Sequence, residues 1–114
     1  PLTLAISVLI VDDEPGMRNF LIKALSKRFA LVESADSIET AEEIRKRCHF
    51  DLIVCDIKLP GRSGIEWHEA ITDETRRSDI IFMTAYADLE TAIEALRAGA
   101  SDFILKPFYW ESIT

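Results

Sequence analysis

The stretch AISVLIVDDEPGMRNFLIKAL, residues 5–25, changes character twice. Residues 5–11 are apolar and rich in β-branched side chains without alternation, the pattern of a strand buried on both faces. From Pro15 the period lengthens. Met17, Phe20, Leu21, Ala24 and Leu25 recur at helical spacing, with Arg18, Lys23 and Lys27 largely opposite. Pro15 suits a first helical turn. Between strand and helix stand Asp12, Asp13 and Glu14. Neighbouring acids repel one another and resist low-dielectric surroundings, so a cluster of them at a strand tip needs a reason.

The same grammar repeats along the chain. ALVES (30–34) is a short strand candidate, and Ser37 can cap a helix with the apolar stripe Ile38, Ala41, Ile44 and Cys48. DLIVCD (51–56) is a second apolar strand ending in an acid. LPGRSG (59–64) reads as a loop, punctuated by Pro60, Gly61 and Gly64. A helix is expected from about Ile65 to Asp73. DIIFMT (79–84) is a third buried strand, ending in a hydroxyl. Asp88 can cap a helix carrying Leu89, Ala92, Ile93 and Leu96, and Gly99 suits a left-handed stop. SDFILK (101–106) is the last strand, ending in Lys106 before Pro107. Five buried strands alternating with amphipathic helices predict an α/β fold, a doubly wound parallel sheet with helices on both faces.

The 114 residues suit one domain, and a start at Pro1 without methionine reads as a fragment of something longer. No apolar stretch approaches the ~20 residues of a membrane span, and no signal peptide is recognisable. The net charge of −7 argues against gripping a nucleic acid backbone and favours cations or basic partners. Cys48 and Cys55 match neither a redox nor a zinc pattern and read as buried free thiols in a reducing compartment.

Parallel sheets bind ligands at the carboxyl ends of their strands. Those ends carry Asp12 and Asp13, then Asp56, Thr84 and Lys106, each the first strong polar residue after an apolar run. Close carboxylates call for a cation, and an all-oxygen set suits a hard divalent ion such as Mg²⁺. One carboxylate can also act as a nucleophile toward phosphorus. An ammonium and a hydroxyl would then help to neutralise the phosphoryl oxygens.

With VDDE, DLIVCDIKLPGRSGIE, MTAYAD and AGASDFILKPF in this order and spacing, the chain resembles the receiver domain of two-component response regulators over essentially its whole length. TAYADLETAIEALRAGASDFILKPF is most similar to receivers of the nitrogen-regulator type. The resemblance implies a flavodoxin-like sheet of order 2-1-3-4-5. It implies that Asp56 is the phosphoacceptor, that Asp13 binds Mg²⁺ directly and Asp12 mainly through water, and that the Lys58 backbone carbonyl completes the protein ligands. It makes Thr84 the hydroxyl that meets the phosphoryl group, Lys106 its cationic partner, Phe103 the aromatic that swings inward, and Lys106–Pro107 a cis peptide bond. The implied partners are a sensor histidine kinase and the protein's own effector, an AAA+ ATPase acting on an alternative sigma factor with a DNA-binding helix-turn-helix. A homodimer is left open, and the implied location is cytoplasmic. The implied role is regulatory: a switch working through its helix 4, strand 5 and helix 5 face, and catalysing only its own phosphorylation and dephosphorylation. Two departures stand out. Lys58 puts a cation beside the metal site, and after KPF only YWESIT remains, so helix 5 is expected to be truncated or absent.

Other readings weigh against this one. A Mg²⁺-dependent phosphohydrolase with an aspartyl nucleophile usually has a second acid two residues on, where Lys58 stands. A receiver that binds partners without phosphorylation would not need the intact set of Asp12, Asp13, Asp56, Thr84 and Lys106. A dinucleotide-binding fold lacks its glycine fingerprint after the first strand. Glu14 reads as a surface acid favoured by the helix dipole, Tyr86 as a loop aromatic or a gate, His68 as a partly exposed helix residue, His49 as a turn residue, and RKR (45–47) as a solvated helix face.

Overall fold

Unbroken apolar runs make the centre of the sheet because both of their faces are covered. In the computed structural model, which describes residues 3–59, 61–71, 78–85, 89–97 and 99–106, these runs are β1 (Leu4–Val11), β3 (Leu52–Asp56) and β4 (Asp79–Ala85). The edges are β2 (Phe29–Ala35) and β5 (Asp102–Lys106). All four pairings are parallel, in the order β2-β1-β3-β4-β5. This is the predicted doubly wound, flavodoxin-like sheet. Val8, Leu9, Ile10 and Val11 have no solvent exposure, whereas edge strand β2 exposes Ala30, Leu31 and Glu33.

Alternation along each strand divides the core in two. Val8, Ile10, Val54 and Met83 meet Met17 and Leu21 of α1 (Pro15–Leu25). Leu9, Val11, Ile53, Cys55, Ile80 and Phe82 meet the other three helices: α2 (Ile38–Arg47), α3 (Gly64–Ile71) and α4 (Leu89–Arg97). Pro15 opens α1 as expected, and Ser37 caps α2 by accepting the Thr40 N–H at 3.1 Å. Gly99, at φ 102, closes α4: its N–H reaches the Leu96 carbonyl and the Ala100 N–H the Ala95 carbonyl, a Schellman end. At the opposite pole from the acidic strand tips, the Ser7 hydroxyl donates to the His49 carbonyl and its N–H to the Asp51 carboxylate, which joins β1 to the start of β3.

Several expectations are corrected or fall elsewhere. The loop at 59–64 contains a small antiparallel ladder, Lys58 against Ser63 and Leu59 against Arg62, turning at Gly61 with φ 81. Cys48 stands just past α2 with extended backbone and is half-buried, while Cys55 is buried; both are free thiols. Arg45 is not part of a solvated face. It pairs with Glu42 at 3.1 Å and lies 5.9 Å from the centre of the Trp67 ring. Asp73, Tyr86, Asp88 and everything after Lys106 lie outside the described residues, and with them the helix 4 cap, the Lys106–Pro107 bond and the question of helix 5. Among the described residues no helix is long and apolar enough to cross a membrane.

His68 is the largest correction. It is 3% exposed, meets Phe82 edge-on at 6.1 Å, and its Nδ1 has no hydrogen-bond partner among the described residues. Burial holds its pKa below the ordinary value of 6.5, and Glu69 only partly counters this. The unfolded imidazole therefore takes up a proton at a higher pH than the folded one. Stability is complete above about pH 6.5 and falls as the pH drops from there toward the folded pKa, with a slope of at most ~1.4 kcal/mol per pH unit. Thermal melts between pH 8 and pH 5 should show this slope, and His68→Phe should flatten it. Equal slopes in both proteins would remove His68 as the cause.

Candidate functional site

The register sets the strand tips level with one another. Val11 pairs with Cys55, Asp56 with Met83, Thr84 with Leu105 and Ala85 with Lys106. Residues far apart in sequence therefore leave the sheet at one edge.

Asp12 extends the ladder by one bond, its N–H donating to the Ala35 carbonyl at 3.1 Å. It is fully buried, and its Oδ1 accepts the Glu14 N–H at 2.8 Å. Such local acceptance compensates a carboxylate for lost water. Asp13 is exposed and Asp56, at the end of β3, is partly buried. Carboxylate oxygens of Asp12, Asp13 and Asp56 all lie within 4.8 Å of one another. Three hard anionic oxygens at this spacing fit a divalent cation such as Mg²⁺, which takes few protein ligands and keeps several waters. The donor set holds no nitrogen or sulfur that would favour zinc.

The neighbouring residues frame this cluster. Ile57, just after Asp56, donates its N–H to the Met83 carbonyl at 2.9 Å. Lys58 follows at the start of the small ladder. Gly64 opens α3 against the same strand ends. A Cβ there would lie 2.9 Å from Phe82 Cε1 and 3.0 Å from the Asp56 carbonyl oxygen, so only glycine allows this approach. Thr84 is a fully buried hydroxyl one strand over. Lys106 is the last residue of β5, one position beyond the partner of Thr84. Phe103 pairs in register with Phe82 and packs, partly buried, on the α2–α3–α4 side of the core.

The fold thus brings Asp12, Asp13 and Asp56 together and puts Thr84 and the backbone of Lys106 at the same edge. Two residues at this edge escape a reading by pattern. Gly64 looks like loop punctuation. Arg18, which looks like one of the polar residues of α1, donates its Nη1–H to the Asp12 carbonyl at 2.7 Å. Its signal in the sequence is a cation in the first turns of a helix, where the dipole disfavours one.

Comparison with known proteins bears on the family and the fold. The profile of the response regulator receiver domain matches residues 8–114. Regulatory protein AtoC of Escherichia coli (strain K12) is 39% identical over 101 residues, which is 89% of this chain and 22% of that protein. Chemotaxis protein CheY of Halobacterium salinarum is 36% identical over 110 residues, 96% of this chain and 92% of that protein. The crystal structure of NtrX from Brucella abortus superposes with a TM-score of 0.84 at 27% identity, covering 96% of this chain and 25% of that one.

Proposed function

The chain belongs to the response regulator receiver domain family, the phosphorylation-controlled switches of two-component systems, and from that membership we propose that its switch is thrown by phosphorylation of Asp56. The observation that carries this reading is the convergence of Asp12, Asp13 and Asp56 within 4.8 Å at the strand tips. A carboxylate oxygen of Asp56 bonds to phosphorus as the bond from phosphorus to a histidine nitrogen of the sensor kinase breaks. The electron pair leaves with the imidazole, which takes up a proton. Mg²⁺ supplies neutralisation of the phosphoryl oxygens and of the acids around them.

The chain's own residues do the rest. Asp13 would hold the ion directly, Asp12 mainly through water, and Lys58 through its backbone carbonyl. Lys106 meets one phosphoryl oxygen, and the Thr84 hydroxyl donates to another. Moving Thr84 toward the phosphoryl group leaves room for Phe103 to turn inward, which changes the face built on α4 and β5. Reversing such an equilibrium from 1:99 to 99:1 takes about 5.5 kcal/mol of differential stabilisation. The domain is a regulatory acceptor that catalyses only its own phosphorylation and dephosphorylation.

The single domain at 1–114 is read as a piece of a longer cytoplasmic regulator. The chain spans 22% of the length of AtoC and 25% of the NtrX chain. That likeness supports an output module of the AAA+ type with a helix-turn-helix, controlling transcription. A homodimer formed through the switching face fits the same architecture.

The test is the intact mass after incubation with acetyl phosphate, with Mg²⁺ and with chelator. One added phosphoryl group is expected with the metal and none without it. A well-folded protein that takes up no phosphoryl group and binds no beryllofluoride would overturn the proposal.

A further inference from the structure

α1 carries a cation close to the end where a helix tolerates it least. The positive end of the helix follows Asp12 and Asp13 with Glu14 between as its N-cap, the first turn holds no acid, and Arg18 is the fourth helical residue. Helix stability does not account for Arg18 there. Its contact does. The bond from Nη1 to the Asp12 carbonyl grips the peptide unit that joins Asp12 to Asp13. That unit is planar, so holding its oxygen sets the direction in which the chain enters Asp13. Asp12 is also held by its N–H on Ala35 and by its Oδ1 on Glu14. Asp13 is exposed, one bond beyond this anchored residue.

We propose that Arg18 is a positioning residue for the metal site: it clamps the Asp12–Asp13 peptide so that the Asp13 carboxylate stands beside that of Asp56. The inference rests on the reading of these acids as the Mg²⁺ site. Two effects of Arg18 oppose each other. Its charge repels a divalent ion, so removing it would tighten binding. Its clamp orders a ligand, so removing it would weaken binding. The clamp dominates, because Arg18 is only partly buried and its charge is screened by water and salt, whereas Mg²⁺ demands near-ideal octahedral placement of its ligands.

The sign of the change is the test. Mg²⁺ is titrated calorimetrically into the wild type, Arg18→Ala and Arg18→Lys, with thermal melts to establish folding. Acetyl phosphate labelling rates are then measured across the same Mg²⁺ range. Arg18→Ala should bind Mg²⁺ about tenfold more weakly, and its labelling curve should shift to higher Mg²⁺ with a plateau within about twofold of wild type. Arg18→Lys keeps a donor and a charge and should recover part of the loss; it serves alone if the alanine variant does not fold. Equal or tighter binding in the variants overturns the inference, as does a lowered plateau at unchanged half-saturation, which would put Arg18 on the phosphodonor. A wild type that neither binds Mg²⁺ nor takes up phosphoryl overturns the site reading and this inference with it.

Discussion

Asp56→Asn should abolish the phosphoryl adduct while leaving the domain folded. The substitution is nearly isosteric and keeps an oxygen acceptor at the tip of β3, so the β3–β4 pairing of Asp56 with Met83 and the neighbouring bond from Ile57 to Met83 remain. An amide oxygen is a far poorer nucleophile toward phosphorus than a carboxylate, and of the two acids that remain in the cluster Asp13 is the proposed direct ligand of the metal. Asp12 is fully buried and its carboxylate is engaged by the Glu14 N–H. Labelling with acetyl phosphate and Mg²⁺ should therefore drop from one group per chain to none. Removing one of the three acids of the proposed metal site should also weaken Mg²⁺ binding by about tenfold or more. Mass spectrometry and a metal titration on the same preparation read both effects. Undiminished labelling of the variant would mean that another residue is the acceptor.

Trp67→Ala should bring the domain close to unfolding. Trp67 is fully buried among α2, α3 and the sheet, its indole N–H donates to the Glu42 carboxylate, and Arg45 both pairs with Glu42 and lies over its ring. Truncating a buried aromatic of this size costs about 3–5 kcal/mol through lost burial and the cavity left behind. Domains of this length hold only about 5–15 kcal/mol in total. At about 4 °C per kcal/mol the melting temperature should fall by roughly 12–20 °C. Trp67→Phe, which keeps most of the volume and loses the indole donor, should lose less than half as much. The partner Glu42 is about one-third exposed and can turn to water. Chemical denaturation of the three proteins would settle the order, and a loss under 1 kcal/mol for the alanine variant would show that the helices collapse around the gap.

The central sheet was legible because strands covered on both faces must be apolar throughout, and an acid that ends such a run stands out. Asp12, Asp13 and Asp56 were visible for that reason, and the parallel topology forces them to one edge. The edge strand β2 was clear in kind and blurred in extent: it runs from Phe29 to Ala35, beyond the five-residue candidate at 30–34. His68 was misread because adjacent helical residues rarely face the same way. Here Trp67 and His68 are both buried, since α3 lies between α2 on one side and the Gly99 turn on the other, where a glycine Cβ would be 3.8 Å from His68 Cε1. Arg45 and Arg18 were hidden for a shared reason. A long basic side chain can lay its stem along the protein and carry its head to a distant acceptor, and periodicity records only where the stem begins. The ladder at 58–63 is too short to impose a pattern.

The strand order has a consequence for how the protein is made. Of the strands of this sheet β1 leaves the ribosome before the others, yet it lies second in the order, between β2 and β3. Asp12 and Asp13 are synthesised early and meet Asp56 only once β3 has docked, and β5 brings Lys106 last of all. At synthesis rates of about 5–20 residues per second, roughly 2–9 s separate the first acids from Asp56. During that interval a nascent chain has no complete set of carboxylates, so a divalent ion gains little hold and cannot direct the early pairing. Apolar burial has to assemble the centre first, and the proposed metal site is an outcome of folding rather than its guide.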